Sequence, residues 1–218
     1  MLTYSEENYL KTIFHLSLGQ NQGISTNAIA ARIETKASSV TDMIKKLNEK
    51  KLIKYQKYQG VTLTPEGLMA AKMIVRKHRL WEVFLVEKLA FSWDEVHDVA
   101  EELEHIKSEK LINKLDAYLG YPTEDPHGDP IPNAKGEIKQ IEKQLLSDVK
   151  PNIKVVCVGV KDSSSEFLQY LDKQKISLGS EIEIIEIEPF DQSYVIKINN
   201  HDITITKKIA SNLYVTSK

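Results

Sequence analysis

Between Ser25 and Leu63 the sequence switches period three times within a short span, and few folds accommodate that order. Ser25 stands as an N-cap before a short amphipathic stretch over 26–33, with Ala28, Ile29 and Ile33 on its apolar side. After Glu34-Thr35-Lys36 a second such stretch over 37–50 carries Val40, Met43, Ile44 and Leu47. Two short helices around a three-residue turn, the second opening in small polar residues, make a helix-turn-helix pattern. Strand-like runs over 52–56 and 61–63 flank Lys57-Tyr58-Gln59-Gly60, which predicts a hairpin wing. Thr64-Pro65-Glu66-Gly67 then combines an N-cap, a proline at the first helical position and an early acid, so a new helix begins there. Upstream, Tyr9, Leu10, Ile13, Phe14 and Leu16 recur at helical spacing. Residues 1–72 therefore read as a winged helix-turn-helix.

Helices are predicted over 65–90 and 94–119, the latter carrying Val96, Val99, Leu103, Ile106, Leu111, Leu115 and Leu119. Residues 121–136 hold Pro122, Pro126, Pro130, Pro132, Gly128 and Gly136, the composition of an extended connection, with helix returning over 137–146. From Asn152 the texture turns to strands over 153–160, 181–187, 194–198, 203–206 and 213–215, with a helix over 163–171. Five short strands in such a stretch predict a small SH3-like barrel. The fold class is α+β, divided as a winged helix-turn-helix (1–72), a helical segment with its proline-rich connection (73–150) and the barrel (151–218).

Charge is uneven within a net of −2: ten Lys/Arg face six Asp/Glu before residue 73, and seven face thirteen over 73–130. A mildly basic front and an acidic, histidine-bearing middle fit nucleic-acid contact followed by cation capture. Met1-Leu2-Thr3-Tyr4-Ser5-Glu6-Glu7 is no basic leader, and no apolar run approaches a membrane span, so a cytoplasmic protein is expected. The single Cys157 excludes an internal disulfide framework and an all-cysteine zinc site, and its apolar surroundings mark it as a core residue.

The chemistry-bearing residues are His97, Glu101, Glu104 and His105, at spacings that place all four on one face of a continuous helix. Glu101 and Glu104 repel one another there, and a shared cation removes that penalty. His78 and Glu82 repeat the arrangement on the preceding helix. Oxygen and imidazole donors without a thiolate suit Mn2+ or Fe2+, although intrinsic affinity still favours Zn2+ or Cu2+. The His-Glu-x-x-His order of zinc proteases, a Gly-rich phosphate loop and Gly-x-Ser-x-Gly are all absent from the sequence, so an enzyme is not expected.

These residues bring the chain to a resemblance with the diphtheria toxin repressor family of metal-dependent transcriptional regulators, in its manganese-type three-domain form. The matching stretches are Glu7-Asn8-Tyr9-Leu10-Lys11-Thr12-Ile13, Ser39-Val40-Thr41, Leu63-Thr64-Pro65-Glu66-Gly67 and Arg76-Lys77-His78-Arg79-Leu80-Trp81-Glu82. Val96-His97-Asp98, Glu104-His105, Gly128-Asp129-Pro130-Ile131-Pro132 and, in the FeoA-like barrel, Leu178-Gly179-Ser180-Glu181 continue it. The resemblance implies a homodimer that represses metal-homeostasis genes by binding a palindromic operator when loaded with Mn2+ or Fe2+, with Zn2+ or Co2+ as substitutes in vitro. It implies a primary site of Glu101, Glu104, His105 and position 8, where the family's Met or Asp is replaced by Asn8. Glu101 is the manganese-type residue, in place of the cysteine of iron sensors. Lys11 stands where two-domain manganese regulators carry an acid, so their binuclear site is not expected. An ancillary site would use His78, Glu82 and His97, with Asp125-Pro126-His127 in place of the family's Cys-Pro-His, and a barrel acid that is either Asp162 or Glu166.

DNA contact is expected from Ser38, Ser39, Thr41 and Asp42 at the start of the recognition helix, with Lys45, Lys46, Lys57 and Tyr58 meeting phosphates. Asp42 either accepts from a cytosine amino group or caps locally. Two rival readings are a winged-helix regulator sensing a non-metal ligand, and a metalloprotein that uses the winged helix only to dimerise.

Overall fold

The computed structural model describes residues 2–20, 22–139 and 142–217. They divide into two compact units: Met1–His78 with Glu101–Lys114 and Pro132–Glu137, and Arg79–Ala100 with Leu115–Ile131 and Ile138–Lys218.

In the first unit α1 (Tyr4–Ser17) opens on a capping box, in which Thr3 accepts from the Glu6 backbone and Glu6 accepts from that of Thr3. Leu10 and Ile13 on α1 are fully buried, Tyr9 and Phe14 nearly so, and each contributes about 1.5–3 kcal/mol by leaving water. This face packs against α2 (Thr26–Ile33) and α3 (Ala37–Glu49). Ser25 caps α2 by accepting from Ala28 N at 3.1 Å, and Glu34 ends it at φ 55°. Strands β1 (Ile53–Gln56) and β2 (Gly60–Leu63) pair antiparallel, Ile53 with Leu63 and Gln56 with Gly60, so Tyr58 sits at the wing tip. Thr64 locks the wing to α4 (Pro65–Leu89): its hydroxyl lies 2.8 Å from Lys51 O and accepts from Gly67 N at 3.0 Å.

The expected helix over 94–119 is two helices, α5 (Val96–Leu103) and α6 (Glu109–Tyr118). After Leu103 the chain turns, with Ile106 N donating to Leu103 O at 3.2 Å. Ser108 then opens α6, its hydroxyl accepting from Leu111 N and its carbonyl from Ile112 N. The short break leaves the apolar spacing nearly in phase, so the sequence reads as continuous. Glu104 and His105 therefore lie beyond the end of α5.

The second unit is built on six antiparallel strands in the order β3-β8-β4-β5-β6-β7. These are β3 (Gln144–Leu145), β4 (Lys154–Val160), β5 (Glu181–Ile187), β6 (Tyr194–Ile198), β7 (His201–Ile205) and β8 (Leu213–Ser217). Alternate side chains, among them Cys157, Ile182, Ile184 and Ile196, enter a core closed by Leu168 and Leu171 of α7 (Ser165–Lys173). A further short helix, α8 (Lys207–Ala210), precedes β8. Register shifts between Cys157 and Gly159 and between Ile184 and Glu186 are the bulges that let so small a sheet curl. The sequence predicts five strands. The sixth, Gln144–Leu145, is too short to show a period and lies where a helix is expected. Pairing with Val215 and Tyr214 overrides local helix propensity there. Within that expected helix Gln140 and Ile141 lie outside the described residues, and 137–139 and 142–143 are not helical.

Cys157 is buried, and burial pushes its thiol up to about 11. It should resist a thiol reagent in the folded protein and react once denatured, as counted by mass spectrometry; rapid modification under native conditions would contradict its place in the core.

Candidate metal centre and nucleic-acid interface

In the first unit α1 presents Glu7, Asn8 and Lys11 on one face, at helical spacing. Glu7 and Lys11 reach the segment 101–105. Lys11 Nζ donates to Glu104 Oε2 at 2.7 Å and also to Glu101 Oε1. His78 Nδ1 donates to the same Glu104 oxygen at 2.7 Å. His105 Nδ1 donates to Glu7 Oε2 at 2.5 Å, and the Tyr4 ring covers the imidazole at a centroid distance of 3.6 Å. Because a carboxylate only accepts, His105 carries its proton on Nδ1 and turns the Nε2 lone pair inward, 3.6 Å from Glu104 Oε1. This is the orienting role that a carboxylate plays behind a metal-bound imidazole.

Three buried atoms have no hydrogen-bond partner among the described residues of this region: Asn8 Oδ1, Glu104 Oε1 and His105 Nε2. Glu104 itself is wholly buried. Unmade bonds of this kind cost about 1–3 kcal/mol each, more for a charged group, so three on adjoining segments call for an occupant. Amide oxygen, carboxylate oxygen and imidazole nitrogen form the donor set of a borderline or hard divalent cation. The residues fit such an ion.

The repulsion between Glu101 and Glu104 that the sequence assigns to a shared metal is met by the Lys11 ammonium. Glu7 and Lys11 are the functional neighbours that a reading by helical face misses. Their partners lie about ninety residues away, and only the charge at positions 7 and 11 marks them. His78, which the resemblance assigns to the ancillary site, also donates to Glu104.

In the second unit Glu82, Asp125 and His127, all buried, form a group with ligand-type atoms within 4.8 Å of one another. His127 Nε2 donates to Trp93 O at 2.8 Å, so Nδ1 faces Glu82 Oε1 at 3.8 Å. His97 Nδ1 approaches the same oxygen at 3.6 Å. Burial lowers the His127 pKa, but the Glu82 carboxylate outweighs it and raises it to about 9. Burial, reinforced by the Glu82 charge, pushes Asp125 up to about 7 against the pull of Arg79. Both Asp125 oxygens are engaged, Oδ1 by the backbone N–H groups of His127 and Asp129, Oδ2 by Arg79 Nε at 3.3 Å. Gly128 (φ 80°) lets this turn lie against β4, since a Cβ there would stand 2.0 Å from Val158 O.

Neither Asp162 nor Glu166 joins this group. Asp162 accepts from Ser164 N at 2.9 Å ahead of α7, and Glu166 is exposed on its first turn. What α7 meets instead is the segment at 93–94. Trp93 Nε1 donates to Asp172 Oδ2, Gln169 Nε2 to Asp94 Oδ2, and Ser165 Oγ to Asp94 O.

On α3, Ser38, Ser39, Thr41, Asp42, Lys45 and Lys46 are all exposed. Thr41 Oγ1 donates to Ala37 O at 2.9 Å. Asp42 does not cap the helix but pairs with Lys45 at 3.5 Å, one turn on. At the wing tip Tyr58 is 93% exposed, with Lys57 Nζ 5.1 Å from its ring centroid.

A winged helix-turn-helix followed by buried His/carboxylate clusters points to a metal-responsive DNA-binding regulator, and comparison with known proteins narrows the class. Residues 1–61 match the iron dependent repressor N-terminal DNA binding domain, residues 64–133 its metal binding and dimerisation domain, and residues 144–217 the FeoA domain. A solved manganese-dependent transcriptional repressor in complex with manganese is 34% identical, with 98% of this chain and 100% of that one covered at a TM-score of 0.87. A helix-turn-helix-type regulator of Methanocaldococcus jannaschii is 34% identical over 54% of this chain and 94% of its own length. The diphtheria toxin repressor of Corynebacterium diphtheriae is 25% identical over 98% of this chain and 97% of its length. The chain belongs to the iron-dependent, diphtheria toxin repressor-like family of transcriptional regulators. No helix among the described residues is long and apolar enough to cross a membrane.

Proposed function

We propose that this protein is a manganese-responsive repressor, a homodimer that grips palindromic operator DNA with α3 and the wing once a divalent cation fills the site at Asn8, Glu101, Glu104 and His105. The observation that carries the reading is the set of orphaned buried atoms on Asn8, Glu104 and His105. Glu101 supplies a carboxylate where a thiolate would favour softer metals, which is the reason for preferring Mn2+. A bound cation there supplies positive charge shared between α1 and the segment after α5. Glu7 holds the imidazole in the ligating tautomer, and burial of Glu104 keeps water off it. Fixing α1, which packs on α3, removes an ordering cost from operator binding, so metal and DNA reinforce each other.

In the same reading Ser38, Ser39 and Thr41 meet base edges, while Lys45, Lys46, Lys57 and Tyr58 hold phosphates. Asp42, paired with Lys45, orients that lysine. Glu82, His127 and His97 form a second cation site, in which the ion takes the place of the proton on His127. The protein acts on DNA and not on a small organic substrate.

The test is operator binding by fluorescence anisotropy, using duplexes from the region upstream of this protein's own gene and from a random-sequence library. Mn2+, Fe2+ and Zn2+ are titrated in parallel. Binding should require metal, be switched on by Mn2+, and vanish in excess chelator. Undiminished binding in chelator would overturn the metal-sensing reading and favour the rival in which a non-metal ligand is sensed.

A further inference from the structure

We propose that Lys11 is an internal counter-cation that competes with the divalent ion for Glu101 and Glu104, and so sets the metal concentration at which the site fills. The proposal rests on the metal-site reading above and concerns a residue outside the ligand set. Lys11 lies one turn beyond Asn8 on α1, with Nζ 2.7 Å from Glu104 Oε2 and also bonded to Glu101 Oε1. Its side chain is 11% exposed and that of Glu104 0%, so solvent screens the pair poorly.

The two Glu104 oxygens are divided. Oε2 takes both Lys11 and His78, while Oε1 is unpartnered and faces His105 Nε2. An ion held by Glu104, His105 and Asn8 would either share the Glu104 carboxylate with the Lys11 ammonium or displace that ammonium from the acids. Either way filling the site works against Lys11, whose charge cannot serve as a ligand. A purely structural ion pair makes the opposite prediction: removing it weakens the fold and leaves metal affinity unimproved.

The experiment is direct Mn2+ binding to the full chain by titration calorimetry, for wild type, Lys11→Met, Lys11→Gln, Lys11→Arg and, as controls, Glu104→Gln and His105→Ala. Lys11→Met and Lys11→Gln should bind Mn2+ roughly tenfold more tightly than wild type, within the range found for coupling between two sites. Lys11→Arg, which keeps the charge, should stay near wild type. Without metal the two neutral variants should melt lower than wild type, and saturating Mn2+ should close the gap. Unchanged or weaker Mn2+ binding in both neutral variants, with the controls losing it, would overturn the competition and leave Lys11 structural. Wild-type binding in Glu104→Gln and His105→Ala would instead sink the metal site itself. If neither neutral variant folds, the Lys11 Cε signal of wild type, followed by NMR during a titration with diamagnetic Cd2+, should move until the site is full. A signal that never moves would overturn the proposal.

Discussion

Glu104→Gln should lower Mn2+ affinity at the α1 site at least hundredfold and raise the metal needed for operator binding in proportion. Replacement of a neighbour that merely orients a ligand already costs 10–100-fold, and Glu104 is proposed as a ligand itself. Its carboxylate is fully buried, with one oxygen shared by Lys11 and His78 and the other facing His105. The amide keeps the shape but loses the charge, and its NH2 group cannot accept from Lys11 and His78. The metal-free variant should also melt lower, because Lys11 loses one of the two carboxylates, Glu101 and Glu104, to which it donates. Calorimetric titration and anisotropy on the same samples measure both effects. Wild-type values for both would remove Glu104 from the sensing site.

How much of this site the sequence discloses depends on the kind of interaction. Glu101, Glu104 and His105 stand out because carboxylates and imidazoles at short spacing are conspicuous in any helix-like pattern, whereas Asn8 enters only through the family resemblance. Their real arrangement is less visible. The break between α5 and α6 preserves the apolar phase across Ser108, so a two-helix segment imitates one long helix and Glu104 and His105 are assigned to a helix that has already ended at Leu103. Glu7 and Lys11 become neighbours of 101–105 only through the way α1 packs, and no local rule reports a contact across ninety residues. The helix-turn-helix and wing are legible because each boundary has its own local cause: a Ser25 cap, a Glu34 turn, a Thr64 cap. The two-residue strand Gln144–Leu145 has no such cause and exists because β8 offers it a partner. Asp162 shows the converse, a conspicuous acid spent on the approach to α7.

The second large effect concerns the junction between the wing and α4. Gly67→Ala should destabilise the first unit by about 3 kcal/mol or more, at the upper end of overpacking costs, and take operator binding with it. An added Cβ would stand 1.8 Å from Leu52 O and 2.7 Å from Leu52 C, both backbone atoms that cannot swing aside. Relieving the clash moves either β1 or the first turn of α4, and so breaks the Thr64 bonds to Lys51 O and Gly67 N. Gly19→Ala is the useful contrast. That glycine has φ 75° but nothing within 4 Å of its Cβ position, so only the backbone strain of about 1 kcal/mol applies. Thermal unfolding of the two variants separates the mechanisms. Equal shifts would show that close approach at Gly67 is not what holds the wing to the helix.

The central claim, that His105 Nε2 and Glu104 Oε1 share one divalent ion, is open to a direct spectroscopic test. Electron paramagnetic resonance of Mn2+ bound to the wild-type chain should show hyperfine coupling to a histidine nitrogen. With the second site disabled in every sample by His97→Ala and His127→Ala, His105→Ala should lose that coupling, while His201→Ala, at an exposed position, should keep it. An identical coupling in that background with and without His105→Ala, with Mn2+ bound at the same affinity, would contradict the account.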